Sequence, residues 1–185
     1  MTAGRSIYHQ EMPHASGHLK GTQLWLNLPR AQKMTAPAYR DITAKDLKIF
    51  EDEQTYVKVI AGTFRGKKGP VKGTYVDPLY FDVSIRPKGI FETGIPAENT
   101  VFLFMLNGSI QFEDGGSAEF PEVRGVLLSH GERISILSEK GARYLLIAGR
   151  PLQEPIAWGG PIVMNSQEEL REAFAEIRNG TFVQD

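Results

Sequence analysis

The chain has 185 residues, of which 41% are hydrophobic and 23% charged, and this is the composition of an ordinary globular protein rather than of a disordered chain. No apolar run approaches the roughly 18 residues of a membrane-spanning helix, and the first ten residues lack the apolar stretch of a secretion signal. With no cysteine, disulfides and thiolate ligands are excluded. We therefore expect a cytoplasmic protein without a membrane partner, in which any metal ion is held by nitrogen and oxygen ligands.

The net charge of −1 is unevenly distributed. The first 80 residues carry 12 Lys or Arg and 7 Asp or Glu, whereas the remaining residues carry 9 and 15. Proteins dedicated to nucleic acids are usually basic, so we do not expect direct nucleic-acid binding. The basic first half instead weakly favours an anionic ligand or partner. Its basic loop at 62–70 lacks the spacing of a phosphate-binding P-loop.

Short strand-like runs separated by Gly, Pro, Asn and Asp begin at residue 22. The first run alternates Leu24, Leu26 and Leu28 with other residues, which predicts a half-buried strand over 22–28. Strands at this spacing, with turn residues between them, are typical of a sandwich or barrel. The further predicted strands are 56–61, 79–85, 101–110, 123–128, 133–137 and 143–148.

Only one segment strongly predicts a helix, over 166–179. Ser166 and Glu169 form a capping-box pattern, and Gly180 provides the left-handed residue at which a helix ends. Residues 32–43 indicate an irregular connector, and a short helical link is expected near 44–48. The predicted helix has one apolar face, made of Leu170, Ala173, Phe174 and Ile177.

The pattern His9-x-Glu11 is the closest pair of metal-ligating residue types. On a strand, residues i and i+2 point to the same face, so the imidazole and the carboxylate could bind one divalent ion. A solvated surface pair or a hydrogen-bonded loop is the alternative. His14 and His18 are also at ligand spacing, but the Pro, Ser and Gly residues around them favour a loop.

Four segments carry a specific resemblance. Residues 2–13 (TAGRSIYHQEMP) resemble the TAGxGxxHxEMP segment of the pirin family, and residues 21–29 (GTQLWLNLP) are similar to its GLQLWVNLP. Residues 148–156 (AGRPLQEPI) and 160–165 (GPIVMN) resemble AGxPLxEPI and GPFVMN. Because the four lie in the right order across nearly the whole chain, it is identified as a member of this family.

The resemblance implies two cupin barrels in tandem. We therefore expect an all-β cupin (double-stranded β-helix or jelly-roll) barrel, with a partial first cupin barrel and one C-terminal helix. Residues 1–43 would be the remnant of the first, metal-binding barrel and 44–55 a linker. Residues 56–150 would form the second barrel, and 151–185 a C-terminal segment with the helix at 166–179.

The family's first barrel holds one iron ion through three histidines and one glutamate. By resemblance, His9 and Glu11 are two of these ligands. The other two belong to an earlier HxHxGFET-like segment, which this sequence does not contain, so the chain is expected to begin inside the first barrel. Residues 90–94 (IFETG) are similar to GFET, but no histidine precedes them, so they indicate a strand end. His130, in a turn-like sequence, is not expected to bind metal.

Two functions follow from the resemblance. The first is quercetin 2,3-dioxygenase-type activity with an incomplete iron site, in which a flavonol-like molecule is opened by dioxygen and Glu11 is ligand and catalytic proton acceptor. The alternative is a non-catalytic cupin that binds a protein partner, as transcriptional coregulators do, or a truncated gene product that keeps its fold. An incomplete barrel also favours a homodimer, or packing of residues 1–40 on the C-terminal segment.

Overall fold

The computed structural model describes residues 1–10, 12 and 21–183, which form two compact units. One unit comprises Met1–Arg40 and Leu152–Asp185, and the other comprises Asp41–Pro151. The strands are β1 (Lys48–Glu51), β2 (Thr55–Ala61), β3 (Thr63–Phe64), β4 (Lys67–Lys68), β5 (Leu79–Ile85), β6 (Gly89–Gly94), β7 (Thr100–Phe112), β8 (Ser117–Glu119), β9 (Gly125–Leu127), β10 (Arg133–Ser138), β11 (Ala142–Gly149), β12 (Ala157–Gly159) and β13 (Ile162–Met164). The helix α1 spans Gln167–Asn179, and a short 3-10 turn spans Arg30–Gln32.

The unit Asp41–Pro151 consists mainly of one curled antiparallel sheet. Its strands lie in the order β1-β2-β5-β11-β7-β10-β6, with β8 and β9 also paired to β7. The sheet can curl because the long strand β7 pairs with different strands along its length. The first part of β7 pairs with β11 and β9, and its last part pairs with β8 and β10. The β3–β4 hairpin lies apart from this path.

Gly108 lies in β7 next to a register shift in the pairing of β7 with β11. Gly108 has φ of +76°, and a Cβ there would lie 2.1 Å from the carbonyl oxygen of Gly141. Only glycine combines this conformation with so close a backbone approach.

The concave side of the sheet is filled by apolar side chains. Alternate residues of β2, including Val57 and Val59, point into this core, as the period of two requires. The ring of Phe91 stacks on Phe64 at 5.3 Å and meets Tyr144 edge-on at 6.1 Å. These aromatic contacts fill the centre of the barrel.

The unit Met1–Arg40 with Leu152–Asp185 is held together by α1 and the β12–β13 hairpin. Ser166 caps the helix in the expected capping box, and Gly180 ends it with φ of +72°. The core consists of Leu170 and Ala173 packed on Ala157 and Ile162. The N-terminal segment contributes an isolated bridge between Thr2 and Ala38.

The all-β prediction with one C-terminal helix is confirmed, and the predicted strands from 56 to 148 correspond to β2, β5, β7, β9, β10 and β11. The prediction of a strand over 22–28 is wrong, because these residues are not in a strand. Residues 44–46 form a turn rather than a helix, and Lys48 already begins β1. The segment expected as a linker, 44–55, therefore contains β1, which pairs with β2. Trp25 and Trp158 are both exposed.

Candidate functional site

His9 lies in an irregular, exposed part of the unit Met1–Arg40 with Leu152–Asp185. Residues 6–10 are not in a strand. The preceding Tyr8 is also exposed, and its ring lies 6.4 Å from that of Phe182. The His9 imidazole is therefore accessible for binding an ion.

The other predicted site residues, Glu11, His14 and His18, lie outside the described residues. Within 1–10, 12 and 21–183, no three His, Asp or Glu side chains come together as a group that could hold a metal ion. The described residues alone therefore do not offer a complete ligand set for an iron ion. The metal-ligand roles of His9 and Glu11 stay predictions.

A polar cluster joins the two segments of this unit. After Pro29 the chain makes the 3-10 turn, and this turn points the backbone N–H of Arg30 at Oε2 of Glu154, 2.8 Å away. The Arg30 guanidinium also donates to Oε1 of Glu169 at 3.2 Å. Thus one residue of the N-terminal segment contacts two carboxylates of the C-terminal segment, in agreement with the expected packing of residues 1–40 on that segment.

Glu169 is the centre of this cluster. Its Oε2 accepts from the backbone N–H of Asn165 at 2.9 Å and of Ser166 at 3.0 Å. These donors, with Arg30, hold the pKa of the Glu169 carboxyl below its usual value. The carboxylate thus satisfies backbone donors at the start of α1 and the approaching Arg30 at the same time.

Lys33 is an uncommon buried cation in the same cluster. Its Nζ donates to Oδ1 of Asn27 at 2.6 Å and to the carbonyl oxygen of Leu28 at 3.1 Å. Burial lowers the pKa of Lys33, and the negative charges of Glu154 and Glu169 oppose that effect. The lysine fixes the chain just before the 3-10 turn.

Sequence reasoning did not single out Glu154, Asn165 or Lys33. A sequence motif could have indicated two of them, because Glu154 lies in the segment AGRPLQEPI and Asn165 lies in the segment GPIVMN. The Asn165 Nδ2 donates to the carbonyl oxygen of Pro155 at 2.8 Å, which joins these two motifs directly. Lys33 carries no comparable pattern.

The unit Asp41–Pro151 offers its site candidates on its surface. His130 is exposed, and the basic segment 62–70 forms the β3–β4 hairpin.

The hydroxyl of Tyr144 is fully buried and has no hydrogen-bond partner among the described residues, and burial raises its pKa well above the usual value. An open depression of about 390 Å³ lies at the rim, lined by Asp52, Glu53, Gln54, Arg65, Ile90 and Glu92.

One carboxylate on the outer side of the sheet forms ion pairs with two basic side chains. Asp82 on β5 accepts from Nε of Arg143 at 2.9 Å and from its Nη2 at 2.7 Å, and Lys58 Nζ lies 3.7 Å from Oδ2. Lys58 is the direct cross-strand neighbour of Asp82 on β2. The bidentate pair fixes β5 against β11.

No helix within the described residues is long and apolar enough to cross a membrane. The family model of the pirin C-terminal cupin domain matches residues 80–183. A pirin-like protein from Caulobacter vibrioides is 37% identical over 98% of this chain and 66% of its own length. Pirin from Rattus norvegicus is 34% identical over 97% of this chain and 62% of its own length. The predicted cupin fold is confirmed by these matches.

Among solved structures, a quercetin 2,3-dioxygenase from Acinetobacter baumannii is similar, with a TM-score of 0.77 and 29% identity. The similarity covers 85% of this chain and 55% of that enzyme. This chain thus spans about two-thirds of the length of the two pirin relatives and about half of that enzyme. From the match to the pirin cupin model and to full-length relatives, we conclude that the chain belongs to the pirin family.

Proposed function

We propose that this chain takes part in metal-dependent oxygenation of a flavonol-like molecule, the reaction type of quercetin 2,3-dioxygenases. The observation that carries the proposal is the structural similarity to the Acinetobacter baumannii enzyme across most of this chain. The retained His9-x-Glu11 pattern agrees with it, since imidazole and carboxylate both suit a divalent first-row metal ion such as iron.

The proposal requires ligands in addition to His9, because no three His, Asp or Glu side chains come together among the described residues. Glu11 is the first of these, and His14 and His18 are further candidates within the same chain. A second copy of the chain is another source. In each case His9 is the ligand whose loss removes the metal ion, and Glu11 is the proposed ligand and proton acceptor.

The test is flavonol-dependent uptake of dioxygen by the iron-loaded chain, with quercetin as the flavonol. We expect uptake by the natural sequence and its loss in His9→Ala. His130→Ala is the matched control, because His130 is an exposed histidine in the other unit and should leave uptake unchanged. Quercetin consumption that is equal in His9→Ala and the natural sequence would refute the assignment.

The second candidate is a non-catalytic binding protein, and the filled barrel of Asp41–Pro151 favours it. The centre of that barrel is occupied by Phe64, Phe91 and Tyr144, so recognition by this unit would take place on its surface. Titration of quercetin into metal-free chain, followed by tryptophan fluorescence, separates the two candidates. Saturable binding without dioxygen uptake after iron loading would support the binding protein, and uptake would support the oxygenase.

A further inference from the structure

The β3–β4 hairpin and the residues after it concentrate positive charge on the unit Asp41–Pro151. Residues 62–72 contain Arg65, Lys67, Lys68 and Lys72 and no acidic residue. The three lysines are exposed, and their side chains form no ion pair within the described residues. Their charges are therefore available to a partner.

The acidic residues around the end of β1, the strand that packs against β4, do not cancel this charge. Asp52 is paired with Arg65 at 3.4 Å, and Glu51 is paired with Arg86. Glu53, in the turn after β1, lines the rim depression together with Arg65. One unpaired carboxylate against three unpaired lysines leaves the surface of the hairpin positive.

The hairpin is a fixed part of the barrel. The side chain of Phe64 is buried, and its ring lies 5.2 Å from that of Phe50 and 5.3 Å from that of Phe91. At the base of the hairpin, the backbone N–H of Gly69 donates to the carbonyl oxygen of Gly62 at 2.9 Å. The lysines thus project from a backbone that is already ordered, so a partner that binds them loses little free energy to ordering of this loop.

A surface that covers these lysines has to supply negative charge, because an ammonium group is costly to bury without a counter-charge. Nucleic acids are commonly held by arginine forks and by stacking on exposed aromatic rings. Here Arg65 is already engaged by Asp52, and Phe64, the one aromatic residue of 62–72, is buried. An anionic membrane surface favours exposed apolar side chains beside the lysines, and no apolar residue of 62–72 is exposed.

Carboxylates of a protein fit the three lysines best. A lysine ammonium is a compact charge with three donors on a flexible stem, so it can meet Asp and Glu side chains from many directions. We propose that Lys67, Lys68 and Lys72 form a docking surface for an acidic segment of another protein. This docking surface does not depend on the proposed oxygenation, because it lies in Asp41–Pro151 and His9 lies in the other unit.

The test is fluorescence anisotropy of the full, metal-free chain with a fluorescein-labelled peptide of alternating Glu and Ser. We expect saturable binding that weakens as salt is raised, because exposed charges are screened. In Lys67→Glu with Lys68→Glu, we expect the dissociation constant to rise at least about tenfold, since attraction becomes repulsion. The corresponding peptide of alternating Gln and Ser should not bind. Because no metal is present, the result is separate from that of the dioxygen-uptake assay.

The matched control is Lys88→Glu with Lys140→Glu, which changes the net charge equally at two exposed lysines of the same unit. We expect this control to bind the acidic peptide like the natural sequence. Far-UV circular dichroism establishes that both variants are folded. Absence of saturable binding by the natural sequence would overturn the proposal, and so would an equal loss in the control. Tighter, lysine-dependent binding of single-stranded DNA of the same charge would overturn it in favour of a nucleic-acid surface.

Discussion

The guanidinium of Arg30 donates to Oε1 of Glu169 at 3.2 Å, and this contact joins residues 139 positions apart. Together with the bond from Arg30 N to Glu154, it fixes the N-terminal segment to the start of α1. The segment that carries His9 and the motif-rich C-terminal segment are thereby parts of one unit. A change at Glu169 should therefore affect both of these segments.

Glu169→Gln should change how stability depends on pH. Hydrogen bonds from the backbone of Asn165 and Ser166 and from Arg30 lower the pKa of Glu169 from about 4.5. A depressed folded-state pKa contributes stability above the unfolded value, and that contribution is lost as pH falls through the folded value. We therefore expect the variant to be less stable than the natural sequence at neutral pH, with the difference shrinking below about pH 4.5.

Urea unfolding followed by the helix signal in circular dichroism measures this effect. Glu172→Gln serves as the control, since Glu172 is exposed on the same helix and makes no ion pair within the described residues. A stability difference for Glu169→Gln that is constant from pH 3 to 7 would contradict the assigned role.

Tyr144→Phe should stabilise the barrel. The buried Tyr144 hydroxyl has no partner among the described residues, so its removal relieves a desolvation cost of about 1 kcal/mol. Burial also raises the pKa of Tyr144 above 10.0, so above about pH 10 the unfolded tyrosine ionises while the folded one does not. The natural sequence then loses stability with rising pH, and the advantage of the variant grows. Tyr39→Phe, at an exposed tyrosine, should show no such gain.

Gly108→Ala should destabilise the barrel. The strained φ alone costs about 1–3 kcal/mol, and the contact with the carbonyl oxygen of Gly141 adds to it. Gly149→Ala is the control, because a Cβ at that position in β11 meets no atom within 4 Å. Thermal unfolding should separate the two variants, and equal melting temperatures would show that position 108 in β7 tolerates a side chain.

Much of the fold could be predicted because short sequence patterns specify its helix and its longer strands. The capping box of Ser166 and Glu169 and the alternation in β2 specify α1 and a strand without reference to distant residues. The short strands β3, β4, β12 and β13 were missed, since runs of two or three residues show no period. The strand expected over 22–28 is not formed although its alternation is clear, because alternation does not decide with which backbone a segment pairs.

The candidate site was harder to predict than the fold. The His9-x-Glu11 motif was evident in the sequence, yet a metal site depends on which side chains meet in space. The cluster of Arg30 with Glu169 shows the same limit, because no local pattern indicates a contact between the two ends of a chain. Lys33 was overlooked because burial of a lysine is set entirely by its tertiary surroundings.

The most direct test of the proposed function is the iron content per chain after anaerobic loading, measured for the natural sequence, His9→Ala and His130→Ala. The account predicts close to one iron per chain, its loss in His9→Ala and its retention in His130→Ala. A variant with His14→Ala and His18→Ala then shows whether these residues supply the further ligands. Iron near zero in the natural sequence, or full retention in His9→Ala, would contradict the claim that His9 belongs to a metal site.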